Sequence, residues 1–281
     1  MATKRIGAKR AASSPGGEER VIVCTPKRLP PSKWVEAAAI AAKINPANTP
    51  HSGTVARALA MGSGSRRQRL ALEVGKRWPA SGVRLTVGFL DNPPRDLRAR
   101  ILLHMNAWAK TANVLFTESD TDPDVRISRV DSPIEDAGYW SYLGTDIRTI
   151  APGKATMNLE SFTMSTPESE YKRVVRHETG HTLGFPHEHM RRQLVNRIDR
   201  AKAIKYFART DGWTPADVEA QVLTPLEEST ILGTTRADQL SIMCYQLPGS
   251  ITKNGKPIVG GSDIDPQDYK FAASIYPKQV S

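Results

Sequence analysis

From Val83 the apolar and polar positions alternate with a period of two. Val83, Leu85, Val87 and Phe89 face one way and Arg84, Thr86 and Gly88 the other, the pattern of a strand. The period then lengthens. Asn92-Pro93-Pro94 opens a helix whose apolar face is Leu97, Ile101, Met105 and Trp108. A second strand is expected at Asn113–Thr117, an acidic turn at Glu118–Asp124, a third strand at Val125–Val130 and a short fourth at Met157–Glu160. Thr166-Pro167 caps another helix, with Pro at its first position and Glu168 and Glu170 near its positive end. Beyond residue 189 the pattern is helical: a basic helix at Arg197–Arg209, a second from Thr214-Pro215 to Leu223, and a last one begun by Asp265-Pro266-Gln267-Asp268. Ile264 and Tyr269 are placed for a hydrophobic staple on that last helix, and Ala272, Ile275 and Tyr276 form its apolar side. Strands first and helices afterwards predict an α+β domain split by a cleft.

The N-terminal part is less regular. Residues 1–20 read as a flexible tail, Val21–Val23 as a short strand, and Pro30-Pro31-Ser32 as the lead into a helix that ends at Ile44 before Asn45-Pro46. Residues 45–66 carry Pro50, Gly53, Gly62 and Gly64 and read as a linker with one helical turn at Val55–Met61. A further helix is expected at Arg66–Arg77, stopping at Trp78-Pro79.

Charge adds one question. The net charge is +10, and residues 1–110 hold 20 Lys and Arg against 6 Asp and Glu. Such a basic front half can steer a protein to nucleic acid or to an acidic membrane surface, but no recognition motif accompanies it, so it reads as a solvated arm. No apolar run approaches a membrane span, and the first 20 residues lack the apolar core of a secretory signal. The expected location is therefore the cytoplasm, or outside the cell by a signal-independent route. Only two cysteines, Cys24 and Cys244, are present, which argues against a disulfide scaffold and leaves room for one bridge at most.

The chemistry is concentrated in His177-Glu178-Thr179-Gly180-His181-Thr182-Leu183-Gly184-Phe185-Pro186-His187-Glu188-His189, which holds four of the six histidines. His177 and His181 are four apart, so a helix projects them from one face as a pair able to grip one Zn²⁺, with Glu178 beside them as general base. Gly184 can leave the helix in a left-handed turn and bring His187 back as a third ligand. Three ligands leave the fourth position open, as a catalytic site requires. His-Glu-x-x-His-x-x-Gly-x-x-His arises by chance in roughly one chain in 10⁵ of this length. Glu188 and His189 are spare groups nearby, and neither is assigned to zinc. His51 and His104, outside the stretch, read as structural or surface residues.

With Gly184 and Phe185, this motif resembles that of the metzincin metallopeptidases, and Glu188 directly after His187 resembles the astacin family among them. Ser241-Ile242-Met243-x-Tyr245 is similar to the astacin Met-turn. By that resemblance Met243 packs beneath the zinc site, and Tyr245 is a switchable ligand that helps hold the transition state. Tyr139-Trp140-Ser141-Tyr142-Leu143-Gly144 resembles an astacin segment ahead of the active site. Met157-Asn158-Leu159 resembles the edge strand on which substrates of that family lie antiparallel. The resemblance spans about residues 76–277. It implies a metzincin-like fold, a small twisted, mostly parallel sheet with an antiparallel edge strand and a cleft over the zinc helix. Astacins proper are disulfide-bonded and this chain lacks the cysteines. In that family the glutamate matched by Glu188 meets the mature N-terminus, which has no clear counterpart here.

The expectation is a zinc endopeptidase acting on protein or peptide substrates. A basic extension, 1–65, precedes a catalytic domain, 66–281, with an upper part to about 187 and a lower part 188–281. Its rivals are a catalytically idle zinc protein that binds peptides and a basic nucleic-acid binder. An intact Glu178 separates the first rival from the enzyme, since an idle site has no need of it. One further expectation concerns Val23-Cys24-Thr25-Pro26: a Cys24 thiolate could occupy the open zinc position and block it, the alternative being a small, unreactive cysteine.

Overall fold

The computed structural model describes Cys24 and residues 27–49, 75–131, 136–225 and 236–279. The strand expected at Val21–Val23, the turn at Val55–Met61 and His51 lie outside the described residues, as does most of the helix expected at Arg66–Arg77, whose last residues, 75–77, are not helical.

Helix α1 (Trp34–Ile44) follows a 3₁₀ turn at Pro31–Lys33, and it ends where Asn45 adopts the extended backbone required before Pro46. Strand β1 (Val83–Phe89) buries Val83, Leu85 and Val87 as its alternation predicts. Helix α2 (Arg95–Met105) buries Leu97, Ile101 and Met105 under the sheet, and the chain continues as a 3₁₀ turn that buries Trp108. Strands β2 (Val114–Glu118) and β3 (Val125–Ser128) pair parallel to β1 on its two sides, with Val83 opposite Val114 and Val87 opposite Val125. Strands β4 (Tyr139–Ser141) and β5 (Met157–Leu159) complete a five-stranded sheet in the order β2-β1-β3-β5-β4, in which only β4 is antiparallel.

That order corrects the expectation for Met157-Asn158-Leu159. The segment is interior, between β3 and β4, and all three residues are buried. The edge is β4. Asn158 is polar because its amide staples strand ends: it accepts from Val130 N (2.8 Å) and Ser128 Oγ (2.7 Å) and donates to Val130 O (3.1 Å) and Gly138 O (2.7 Å). None of it is left to meet a substrate.

Two hydrophobic cores result. The upper one joins the inner face of the sheet to Trp108, Phe162, Tyr171, Leu183, Phe185 and the last helix. The lower one gathers Leu194, Ile198, Phe207, Val218, Leu247 and Ile251. Cys24 and Tyr245 belong to the lower core and Met243 to the upper, so the Met-turn segment joins the two. Two of the helices after residue 189 start where their capping residues predict. Helix α4, counting Arg176–Thr182 as α3, spans Arg200–Thr210 and is capped by Asp199, and α5 (Pro266–Ile275) is closed by an Asp265/Asp268 capping box. Helix α1 packs on the 3₁₀ segment Gly144–Thr149. No described helix is long and apolar enough to cross a membrane.

Replacing Asn158 by Ala leaves buried strand-end groups without partners. It should lower unfolding free energy by about 1–3 kcal/mol in urea titration. An unchanged midpoint would mean that these bonds contribute nothing.

Candidate active site

The helix that delivers the histidines is not uniform. It starts at Glu168–Glu170, widens into a π-helical stretch at Tyr171–Val175, and tightens to α3. A π insertion shifts the register of every later side chain and is common at functional sites. α3 ends because Gly184 takes φ +91, with Leu183 N bonding back to Thr179 O and Phe185 N to Gly180 O. The turn carries His187 toward the helix it has just left.

Three imidazoles then converge. His187 Nε2 lies 3.2 Å from His177 Nε2 and 3.0 Å from His181 Nε2. The far nitrogens of the two helical histidines are committed to backbone carbonyls, His177 Nδ1 to Ile242 O at 2.6 Å and His181 Nδ1 to Phe185 O at 2.8 Å. A carbonyl only accepts, so these Nδ1 atoms carry the protons and the Nε2 lone pairs point at one another. Burial holds all three rings neutral, moving His177 down to about 4 and His181 and His187 well below their usual value. His187 Nδ1 has no hydrogen-bond partner among the described residues, so its Nε2 is free to turn a lone pair to the same point, and three neutral nitrogens converging at 3.0–3.2 Å are a donor set that suits zinc. The Cys24 sulfur completes the group, its ligand atom and those of the three histidines lying within 4.8 Å of one another.

Glu178 is fully buried beside this point. Ser141 Oγ donates to its Oε2 at 2.7 Å, while Oε1 is buried and accepts no hydrogen bond. Burial pushes the carboxyl up to about 7, against the opposing pull of the Cys24 thiol and the Ser141 hydroxyl. Tyr245 lies across from it. The Tyr245 ring packs on His187 (centroids 4.2 Å) and stacks on His189 (4.0 Å), and its hydroxyl is buried without a partner.

The floor is the Met-turn. Met243 Sδ presses on Gly180 so closely that a Cβ there would overlap it, so the two unspecified positions of the motif are not equivalent. Asp268, in the cap of α5, accepts from Ser241 Oγ (2.6 Å) and Ile242 N (2.8 Å), and Ile242 O in turn receives the proton of His177 Nδ1. Glu188 turns away from the histidines toward Asp238 N (2.9 Å), and His189 Nε2 meets Gln221 O, which agrees with giving neither to the metal. His104 is structural: it lies buried against Tyr171 and 3.4 Å from Glu168.

Ser141, Gly180, Asp268 and the stacking role of His189 were not singled out from the sequence. Ser141 and Gly180 lie in segments with a known resemblance, but the resemblance assigns neither a role. Asp268 was read as a helix cap, which it is, and its second set of acceptor bonds has no signature in the chain.

The astacin family profile (Astacin, peptidase family M12A) matches residues 72–248. This chain belongs to the astacin family. Membership makes its cofactor zinc and its class that of a metallopeptidase. It is similar to the zinc metalloproteinase nas-27 of Caenorhabditis elegans, with 29% identity over 126 residues, 44% of this chain and 26% of that protein. The chain thus matches about a quarter of that relative's length. Among solved structures, one of myroilysin superposes with TM-score 0.67 at 28% identity, covering 73% of this chain and 97% of that one. A crystal structure of myroilysin gives TM-score 0.55 at 30% identity over 72% and 86%. The small, mostly parallel sheet with its antiparallel edge strand is the architecture expected from the resemblance.

Gly180→Ala drives a methyl into Met243 Sδ beneath the histidines. We expect a loss of about 1–3 kcal/mol in stability, as for other overpacked cores, together with weaker zinc retention in a chelator competition. Wild-type behaviour in both measurements would show that the Met243 contact yields freely.

Proposed function

We propose that this astacin-family chain is a zinc-dependent endopeptidase in which His177, His181 and His187 hold the metal, Glu178 is the general base and Tyr245 a transition-state donor. The observation that carries the reading is the meeting of three Nε2 atoms 3.0–3.2 Å apart next to a buried carboxylate with one free oxygen. Zinc bound there supplies Lewis acidity, which makes water nucleophilic near neutral pH and polarises the scissile carbonyl.

The remaining work falls to the chain. Ser141 fixes Glu178 through Oε2, which leaves Oε1 to take a proton from the attacking water and pass it to the leaving amine. Burial disfavours the charged form of this carboxyl, which makes it a ready acceptor of the water proton. The Tyr245 hydroxyl, unpaired and packed against His187, can donate to the oxyanion as the carbonyl becomes tetrahedral. The substrate backbone would add to the outer edge of β4, so that main-chain bonds supply affinity whatever the side chains.

The idle peptide-binding alternative shares the metal and the edge strand and differs at Glu178. A site without chemistry gains nothing from a buried, hydrogen-bonded carboxylate that costs desolvation energy.

Glu178→Ala should keep one zinc per chain and lose about 10²–10⁴ in rate on casein or a peptide library. Equal turnover would sink the enzyme reading. His181→Ala should lose the metal as well as the activity, and a zinc stoichiometry still near one would mean a different ligand set. Tyr245→Phe should keep zinc while kcat and kcat/KM fall together by about 10²–10³. A near-wild-type kcat would reduce Tyr245 to packing, and loss of zinc would make it an obligatory ligand.

A further inference from the structure

His189 is given no metal to hold and no proton to move, yet its side chain is fully buried beside His187. One backbone bond puts it there. Glu188 N donates to Met243 O at 2.8 Å, which pins the 3₁₀ turn Glu188–Met190 to the Met-turn. His189 follows on one side of that clamp and Tyr245 on the other, and their rings meet face to face, with centroids 4.0 Å and planes 17° apart. His187 touches the same phenol ring at 4.2 Å but tilted by 56°, and it stands 4.9 Å from His189. Of these three ring contacts only the one between His189 and Tyr245 is a stack.

The two histidines that touch Tyr245 are oriented by different parts of the chain. His187 turns Nε2 to His177 and His181, so its plane belongs to the metal site. The plane of His189 is set by the lower wall. Its Nε2 lies 2.9 Å from Gln221 O, in the π-helical turn Glu219–Leu223, and a carbonyl only accepts, so this nitrogen holds the proton. Its Nδ1 has no hydrogen-bond partner among the described residues, and neither has the Tyr245 hydroxyl. The imidazole therefore meets the phenol through its face and not through a polar atom. A hydrogen bond would fix the phenol as well, but it would engage the group that the oxyanion needs. Dispersion across a flat face resists tilting of the ring and leaves the O–H uncommitted.

We propose that His189 is the positioning residue for Tyr245, a flat wall tied to Gln221 that restricts the tilt of the phenol and leaves its hydroxyl free to donate to the oxyanion. The inference rests on the transition-state role given to Tyr245 above. It gives the lower wall a part in the reaction: the turn Glu219–Leu223 sets the imidazole and the imidazole sets the phenol, while neither the turn nor the imidazole exchanges a proton with substrate.

Two replacements in the full chain separate this role from core filling. His189→Phe keeps a flat ring and His189→Leu does not, while both keep the site filled and both lose the bond to Gln221. On one peptide substrate His189→Leu should lower kcat about three- to tenfold, the worth of an aromatic pair, with KM and zinc content unchanged. His189→Phe should stay within about twofold of wild type, because the stack survives. In the Tyr245→Phe background His189→Leu should cost nothing further, since the hydroxyl it steers is gone. The stack is also read without turnover, by nuclear magnetic resonance of ring-labelled tyrosine. The ring-proton signal that Tyr245→Phe deletes should move downfield when His189→Leu removes the facing ring, and should stay upfield in His189→Phe. An unmoved signal in His189→Leu would overturn the stack and the proposal. Equal losses of kcat in the two replacements, a loss carried by KM, or a penalty that persists without the Tyr245 hydroxyl would reduce His189 to packing and overturn it too. Wild-type kcat in Tyr245→Phe alone would instead overturn the role of Tyr245, and absence of turnover in the zinc-loaded wild type the peptidase reading, each taking the proposal with it.

Discussion

The structure depends on keeping three imidazoles neutral, buried and aimed at one point. Burial strips water from the rings and crowds their nitrogens to 3.0–3.2 Å. It is held by hydrogen bonds one layer out. His181 is fixed by the carbonyl of Phe185, placed by the Gly184 turn, and His177 by the carbonyl of Ile242, placed by Asp268. Asp268 therefore serves two elements, capping α5 and clamping the Met-turn. A defect in the last helix is thereby transmitted through one carboxylate and one peptide group to the His177 ring. Outer-layer partners of this kind typically govern metal affinity by 10–100-fold.

The π-helical stretch before α3 belongs to the same constraint. The helix has to satisfy Glu168 near Arg100 and His104 at one end and aim His177, Glu178 and His181 at the other. One widened turn lets Tyr171, Val174 and Val175 all bury in the upper core while the register downstream is set by the histidines. Gly180 completes the fit, since the face that carries the ligands must also let Met243 approach the backbone.

Much of this was legible in the chain. Alternation at Val83–Phe89, the apolar stripe of α2, the Asp265 capping box and the spacing of His177, His181 and His187 are local patterns, and each maps onto the element it implies. Strand order is not local. Met157-Asn158-Leu159 and Tyr139–Ser141 are both short, and which of them lies at the edge depends on where β4 folds back, a matter of loop geometry without a periodic signal. Asn158 shows the difficulty directly. A polar residue in an apolar strand suggests an exposed, functional edge, whereas here it is fully buried and spent on four backbone and hydroxyl bonds. Ser141 and Asp268 were hidden for the same reason, since their partners lie 37 and 26–27 residues away.

An unpaired sheet edge binds extended chain without regard to sequence, and that property is a liability as well as a function. In this chain Cys24 and Lys27 bridge Tyr139 and Tyr142 on that edge, so a peptide added to β4 would compete with the chain's own segment. The contest between the two is unequal. A free substrate competes at its solution concentration, whereas a tethered segment acts at an effective concentration of about millimolar, so modest contacts are enough to keep the edge covered.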